Sequence, residues 1–331
     1  MSTLRKNPWV WAAVILTLFK LWLTRGQPLY AIGNARHDDR LFLELTAHLL
    51  RGEWLGPYDQ LTLAKGPLYS LFIAGTFLLG VPLGLAQQLC YALASAVVIR
   101  AAQPLLRSAA AGFAAYLLLL WNPLTYEGES LTRLLRQHLL VPLVLLVAAS
   151  LVALLLRRSA PFRARLPWTV LLGFALGGVW LTREETVWIF SIVLVLGGAL
   201  AWHAWRGPPG SRAALGGLAG VAAGCFALPL LLVCSLNAHY YGWFGTVEFR
   251  SGDFQDAYGA LTRVRAGPAY SNVPVSREMR AALYRVSPAF AELQPYFERA
   301  DHPWANRELF PHAAPQILGG WFMWALRDAV A

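Results

Sequence analysis

Two short runs in the first quarter of the chain hold residue types that could do chemistry: His37-Asp38-Asp39-Arg40 and Lys65-Gly66-Pro67-Leu68. A carboxylate set among bases suits a general base that takes a proton from a hydroxyl, or a metal ligand with His37 as its partner. Asp38 and Asp39 are adjacent, so on a helix or strand their side chains diverge and only one is aimed into a site. The other suits the N-cap of a helix through Leu41–Leu50. Lys65 stands before Gly66-Pro67, and proline favours the first turn of a helix, where open amides and the helix dipole attract anions. A lysine there is a phosphate-binding element, or else a cation snorkelling toward lipid head groups. Farther along, Arg133 and Arg136 share a face if helical, and Arg183-Glu184-Glu185 crowds three charges into one turn. Arginine binds phosphate bidentately and lysine as a point charge. Arg40, Lys65, Arg133, Arg136 and Arg183 therefore suit an anionic phosphate ligand.

The elements that must position these residues are membrane helices. The chain is 57% apolar and only 14% charged, against about 45–50% and about 25% for a soluble domain. Its apolar residues fall in long blocks, which predict an all-α polytopic membrane protein with spans near 9–24, 84–102, 108–122, 138–156, 167–182, 187–204 and 213–236. Lys20 interrupts the first block and no small-residue cleavage site follows, so that block reads as an uncleaved anchor. The run from Gly319 to Ala331 reads as the start of an eighth span, cut short where the sequence ends. Cys90, Cys225 and Cys234 lie inside apolar blocks at spacings that suit neither zinc nor an exposed disulfide. The net charge of +10 sits at span ends rather than in a nucleic-acid-binding patch.

Pro67–Gly80 decides the sidedness. It is shorter than the ~20 residues a bilayer core requires, which fits a re-entrant or interfacial helix. With that segment not spanning and the N-terminus in the cytoplasm, Arg5, Lys6, Arg100, Arg107, Arg157, Arg158, Arg163, Arg165, Arg206 and Arg212 all face the cytoplasm. All 18 acidic residues then fall on the outer side or in the C-terminal segment, and the positive-inside rule holds. If Pro67–Gly80 spanned, the cluster from Arg157 to Arg165 would move outside. The expected division is an anchor at 1–24, a first outer loop at 25–83, a helix bundle at 84–236, an outer module at 237–315 with a helix around Ser276–Arg285, and a last apolar start at 316–331. The charged motifs face the periplasm of a bacterial inner membrane.

With these residues on one face, the first outer loop resembles the lipid-phosphosugar-dependent glycosyltransferases of the GT-C fold, the superfamily of protein O-mannosyltransferases and aminoarabinose transferases. Those enzymes carry an acidic pair soon after the first helix, then an aromatic, then a short amphipathic helix ending in glycine. A tyrosine-containing stretch and a Lys/His-Pro-Pro-Leu motif follow. The matching residues are Asp38-Asp39, Phe42, Leu49-Leu50-Arg51-Gly52, Tyr58 and Lys65-Gly66-Pro67-Leu68-Tyr69. Trp121-Asn122-Pro123 and Leu181-Thr182-Arg183 are similar to later motifs. Gly66 stands in place of the first proline, Arg133, Arg136 and Gln137 stand after the Trp121 loop where the pattern has its second acid, and the stretch from 237 matches no part of the pattern. The resemblance implies a sugar donor carried on polyprenyl phosphate, Asp38 at the reaction centre, and Lys65 with Arg183 on the lipid phosphate.

The expected chemistry needs one base for an acceptor hydroxyl and fixed positive charge where phosphate charge develops. Single attack at the anomeric carbon predicts inversion. The acceptor is a glycan, a lipid or a protein, membrane lipids are the other partners, and a divalent metal is the one cofactor in question. Two further readings belong to other classes. A transporter is disfavoured because ionisable groups crowd the outer surface instead of the midplane. A membrane scaffold with a periplasmic binding module at 237–315 is compatible with the sequence.

Overall fold

The computed structural model describes residues 7–33, 35–125, 132–184, 187–299, 301–306 and 316–331, and of Arg36 the backbone only. These residues are almost entirely helical and divide into two compact units, Met1–Gly56 with Lys65–Thr246, and Pro57–Ala64 with Val247–Ala331.

The first unit opens with α1, Pro8–Thr24, started by the Asn7 side chain accepting the Trp9 N–H and by proline at the first position. A single π-helical turn, Arg36–Arg40, leads into α2, Leu41–Leu50. This helix ends where Gly52 takes a φ of +78°, a left-handed stop that costs glycine nothing. Then come α3 (Leu68–Leu78), α4 (Leu83–Ala102), α5 (Ala109–Leu120), α6 (Gln137–Leu156), α7 (Phe162–Thr182), α8 (Trp188–Trp205) and α9 (Ser211–Tyr241). Among the described residues, α4 and α6 to α9 are long and apolar enough to cross a membrane, while α1, α3 and α5 are shorter apolar helices. The eleven residues of α3 keep it too short to span alone.

Small residues set the closest contacts of this bundle. A Cβ on Gly173 would lie 2.5 Å from the Ala222 carbonyl oxygen, and one on Gly177 2.8 Å from Pro229 Cγ, so α7 and α9 approach backbone to backbone. Ala101, Ala149 and Ala153 do the same for α4 and α6. Larger side chains of α6, α7 and α8, such as Leu151, Leu176 and Ile189, fill the main apolar cluster.

The helix ends sort themselves by hydrogen bonds. Lys20, buried one turn before the end of α1, donates to the carbonyl of Leu120 at the end of α5. Arg136, just before α6, donates to the Thr182 carbonyl at the end of α7. At the opposite end of the bundle, Arg157 after α6 donates to the Arg100 and Ala101 carbonyls at the end of α4.

The second unit contains α10 (Gly252–Arg263), α11 (Arg277–Val286), α12 (Pro288–Ala291), α13 (Gln294–Phe297), a two-stranded antiparallel pair β1 (Ala305–Asn306) and β2 (Gln316–Ile317), and α14 (Gly319–Val330). Its core gathers Leu261, Val275, Phe290, Phe297, Ile317 and Phe322. The apolar run from Gly319 forms α14, which buries Phe322, Ala325, Leu326 and Arg327 in this unit. The module also departs from the expected 237–315. Asn237–Tyr241 belongs to α9, and Pro57–Ala64 joins the second unit. Arg327 holds that inserted stretch, donating to the carbonyls of Asp59 at 3.1 Å and Thr62 at 2.7 Å, with Glu248 2.7 Å from its Nε.

Candidate functional site

The site forms in the first unit at the junction of the π-turn, the segment before α3, and the facing ends of α6 and α7. A π-turn widens the backbone by one residue and is frequent at functional sites. Here it sends the two acids in opposite directions, as their adjacency requires. Asp38 is 54% exposed, whereas Asp39 is fully buried.

Asp39 is consumed by structure. Arg133 donates to it from Nε at 3.1 Å and from Nη2 at 2.9 Å, and the Ile32 N–H adds a bond of 2.8 Å. Arg133 is brought there by a backbone bridge, with Tyr30 N–H donating to the Thr132 carbonyl at 2.7 Å and Leu134 N–H to the Tyr30 carbonyl at 3.1 Å. Neither acid caps a helix, because Arg40 occupies the N-cap of α2 without a side-chain bond.

Asp38 pairs with the ammonium of Lys65, which is only 5% exposed and lies over the Phe42 ring, 5.3 Å from its centroid. Burial pushes the Lys65 amine below the usual lysine range, and Arg136 adds to this, while Asp38 and Glu184 oppose it. Phe42 meets Tyr69 edge to face at 5.0 Å. Thr46 and Ser70 both donate to the Phe42 carbonyl, which ties α2 to α3 beneath the pair.

Behind Lys65 stands a second ion pair. Arg136 Nη1 lies 2.8 and 2.7 Å from the two Glu184 oxygens, and Glu184 also accepts the Gly66 N–H at 3.1 Å. Gly66 itself presses on the end of α7: a Cβ there would lie 2.1 Å from the Leu181 carbonyl oxygen. That contact explains the residue that departs from the proline pair. The amide of Gly66, ahead of α3, is taken by the protein's own Glu184 carboxylate.

The remaining predicted residues scatter. Arg40 pairs with Glu44 at 2.6 Å on the exposed side of α2 and so leaves the site. His37 is buried, and Arg183 is half-buried at the end of α7. Tyr58 belongs to the second unit, where its hydroxyl donates to Glu248 at 2.8 Å and its ring lies under the Arg327 guanidinium. Burial and Glu248 hold its phenol above the ordinary tyrosine value. Glu185 lies outside the described residues. No group of three or more His, Cys, Asp or Glu able to hold a metal occurs among the described residues. Asp39 is already saturated by Arg133, so the His37-Asp38-Asp39 run does not fit a divalent ion.

The sequence offers Glu184 as an additional site candidate without naming its partners, and it joins Arg136 to the segment before α3. Lys20 read as an interruption of a span, yet it satisfies the end of α5. Only the cost of charge near lipid hinted at either. No known protein family, no curated protein and no solved structure matches the chain.

Proposed function

We propose that the chain is a membrane-embedded glycosyltransferase of GT-C type, moving a sugar from a polyprenyl-phosphate donor to an acceptor hydroxyl at the face opposite its arginine-rich helix ends. In a bacterium that face is the periplasmic one. The observation that carries the proposal is the pair formed by the exposed Asp38 carboxylate and the buried Lys65 ammonium. A base must reach solvent to meet an acceptor, and a cation held in a dry setting acts strongly on charge that develops nearby.

The step balances without a metal. The acceptor oxygen attacks the anomeric carbon, the bond from that carbon to the phosphate oxygen breaks, and polyprenyl phosphate leaves with the electron pair. The acceptor proton passes to Asp38. Neutralising Asp38 frees the Lys65 ammonium from its partner as the leaving phosphate gains charge, so the two charge changes compensate each other. Arg136 and Glu184 hold the Lys65-Gly66 segment, and Asp39 with Arg133 anchors the π-turn. Attack opposite the leaving group inverts the anomeric configuration.

The test supplies membranes containing the protein with radiolabelled polyprenyl-phosphate hexoses and pentoses. Wild-type protein should move label from lipid to acceptor. Asp38→Asn should lower transfer by about a hundredfold or more, the usual worth of a general base, while donor binding persists. Equal transfer by Asp38→Asn, or no transfer from any such donor by wild type, would sink the proposal.

A further inference from the structure

The first unit holds a second feature, far from Asp38. A groove of about 970 Å³ opens between α1, α4 and α5, at the upper end of the 300–1,000 Å³ usual for ligand pockets. Its walls are apolar, with Val14 and Leu18 from α1, Leu89 and Leu93 from α4, and Phe113 from α5. The two polar groups on its inner wall satisfy each other, Thr17 and Tyr116 sharing a hydrogen bond of 2.7 Å. Along α1 the groove runs from Asn7 to Leu21, about 21 Å at 1.5 Å per residue. That exceeds one leaflet of a ~30 Å hydrocarbon core.

One end of the groove is polar. Arg100, Gln103 and Ser108 line it, and Arg100 and Gln103 are exposed. This is the end of the bundle where Arg157 bonds the Arg100 carbonyl, so it lies opposite the Asp38–Lys65 pair. No acidic residue occurs from Leu83 to Leu120 or from Gln137 to Thr182, while Arg107, Arg157 and Arg158 add to Arg100 at the neighbouring helix ends. An uncompensated basic mouth on an apolar, leaflet-length groove complements one chemistry: an anionic head on a hydrocarbon chain.

We propose that this groove binds an anionic phospholipid, one acyl chain lying between α1, α4 and α5 and its phosphate at Arg100. Anionic lipids are attracted by basic residues at a membrane surface, and a chain bound between helices fills space that a bulk lipid only coats. The site rests on the membrane reading of these helices and not on the transferase reading, since its charged mouth is at the other end from Asp38.

Native mass spectrometry of the full chain in detergent, supplied with phosphatidylglycerol or phosphatidylcholine, tests it. Wild type should retain phosphatidylglycerol adducts in preference to phosphatidylcholine. Arg100→Gln should weaken phosphatidylglycerol retention about fivefold, the effect of one basic side chain at an anionic surface, and Arg100→Lys should restore most of it. Ala96→Trp, which fills the groove, should remove both adducts. Equal retention of both lipids in wild type and Arg100→Gln would mean bulk lipid only and overturn the proposal. So would displacement of phosphatidylglycerol by an equimolar polyprenyl phosphate. Arg100 is exposed, so its variants fold whether or not the groove-filling variant does.

Discussion

Asp38 and Asp39 are chemically identical and adjacent, and their surroundings alone make them different. Asp39 accepts a two-pronged bond from Arg133 and a backbone N–H while fully buried. Removing its charge leaves Arg133 without its partner, and breaking a buried pair of this kind costs about 3 kcal/mol. Asp39→Asn should therefore lower the unfolding midpoint of the purified protein clearly, whereas Asp38→Asn keeps an amide oxygen for the buried Lys65 ammonium at an exposed position and should lower it less. Thermal unfolding of the two variants in detergent separates them; equal losses would remove the distinction between an anchoring and a working acid. Lys65 is likewise defined by its surroundings. Its chain is buried on Phe42 and its head pairs with Asp38.

At the scale of elements, the half-helix α3 matters through what holds its entry. Gly66 packs against the Leu181 carbonyl with no room for a side chain, and Glu184 fastens its amide. Gly66→Ala must push Lys65 and α3 away from the end of α7, an overpacking change of about 1–3 kcal/mol. The expected result is a protein that still inserts, is less stable, and has lost the Lys65–Asp38 contact. Thermal unfolding of Gly66→Ala beside wild type measures the loss, and unchanged stability in the variant would show that the close approach does not exist. The length of α3 was legible from its flanking proline and glycine. Its seat on α7 was not, because nothing local distinguishes a glycine that turns from a glycine that touches.

At the scale of the molecule, the second unit has its own core and its own pH response. His302 is buried, its Nδ1 accepting the Trp304 N–H at 3.2 Å and its ring stacked on Phe297. Burial, helped by Arg280 and Arg299, pushes its pKa down to about 4. In the unfolded chain the same imidazole takes its proton near about 6.5. Between those values the unfolded state binds more protons, so stability falls as pH drops from about 6.5 to about 4, by at most about 3 kcal/mol. Hydrogen exchange across 247–306 should show protection lost in that window in wild type, and His302→Phe should flatten the loss. A pH response identical in the two proteins would remove His302 as its source.

The five long apolar helices α4 and α6 to α9 and the divergence of the two acids were determined by the sequence itself, since each follows from local rules, whereas the expected spans at 9–24 and 108–122 fold as the shorter helices α1 and α5. A backbone in lipid must bond within its own helix, so apolar length alone marks a crossing, and adjacent side chains cannot point the same way. The tertiary structure decided which partner each charge takes. Arg133 lies 94 positions from Asp39 and Glu184 lies 118 from Gly66, separations at which no spacing rule applies. It also decided that the last apolar run packs in the second unit, because hydropathy reports that a helix must be covered and not whether lipid or protein covers it. The patch at His37–Arg40 and Lys65–Leu68 drew notice as charge beside a membrane helix. Packing divided it into one acid that holds the loop and one, Asp38, that remains open to solvent.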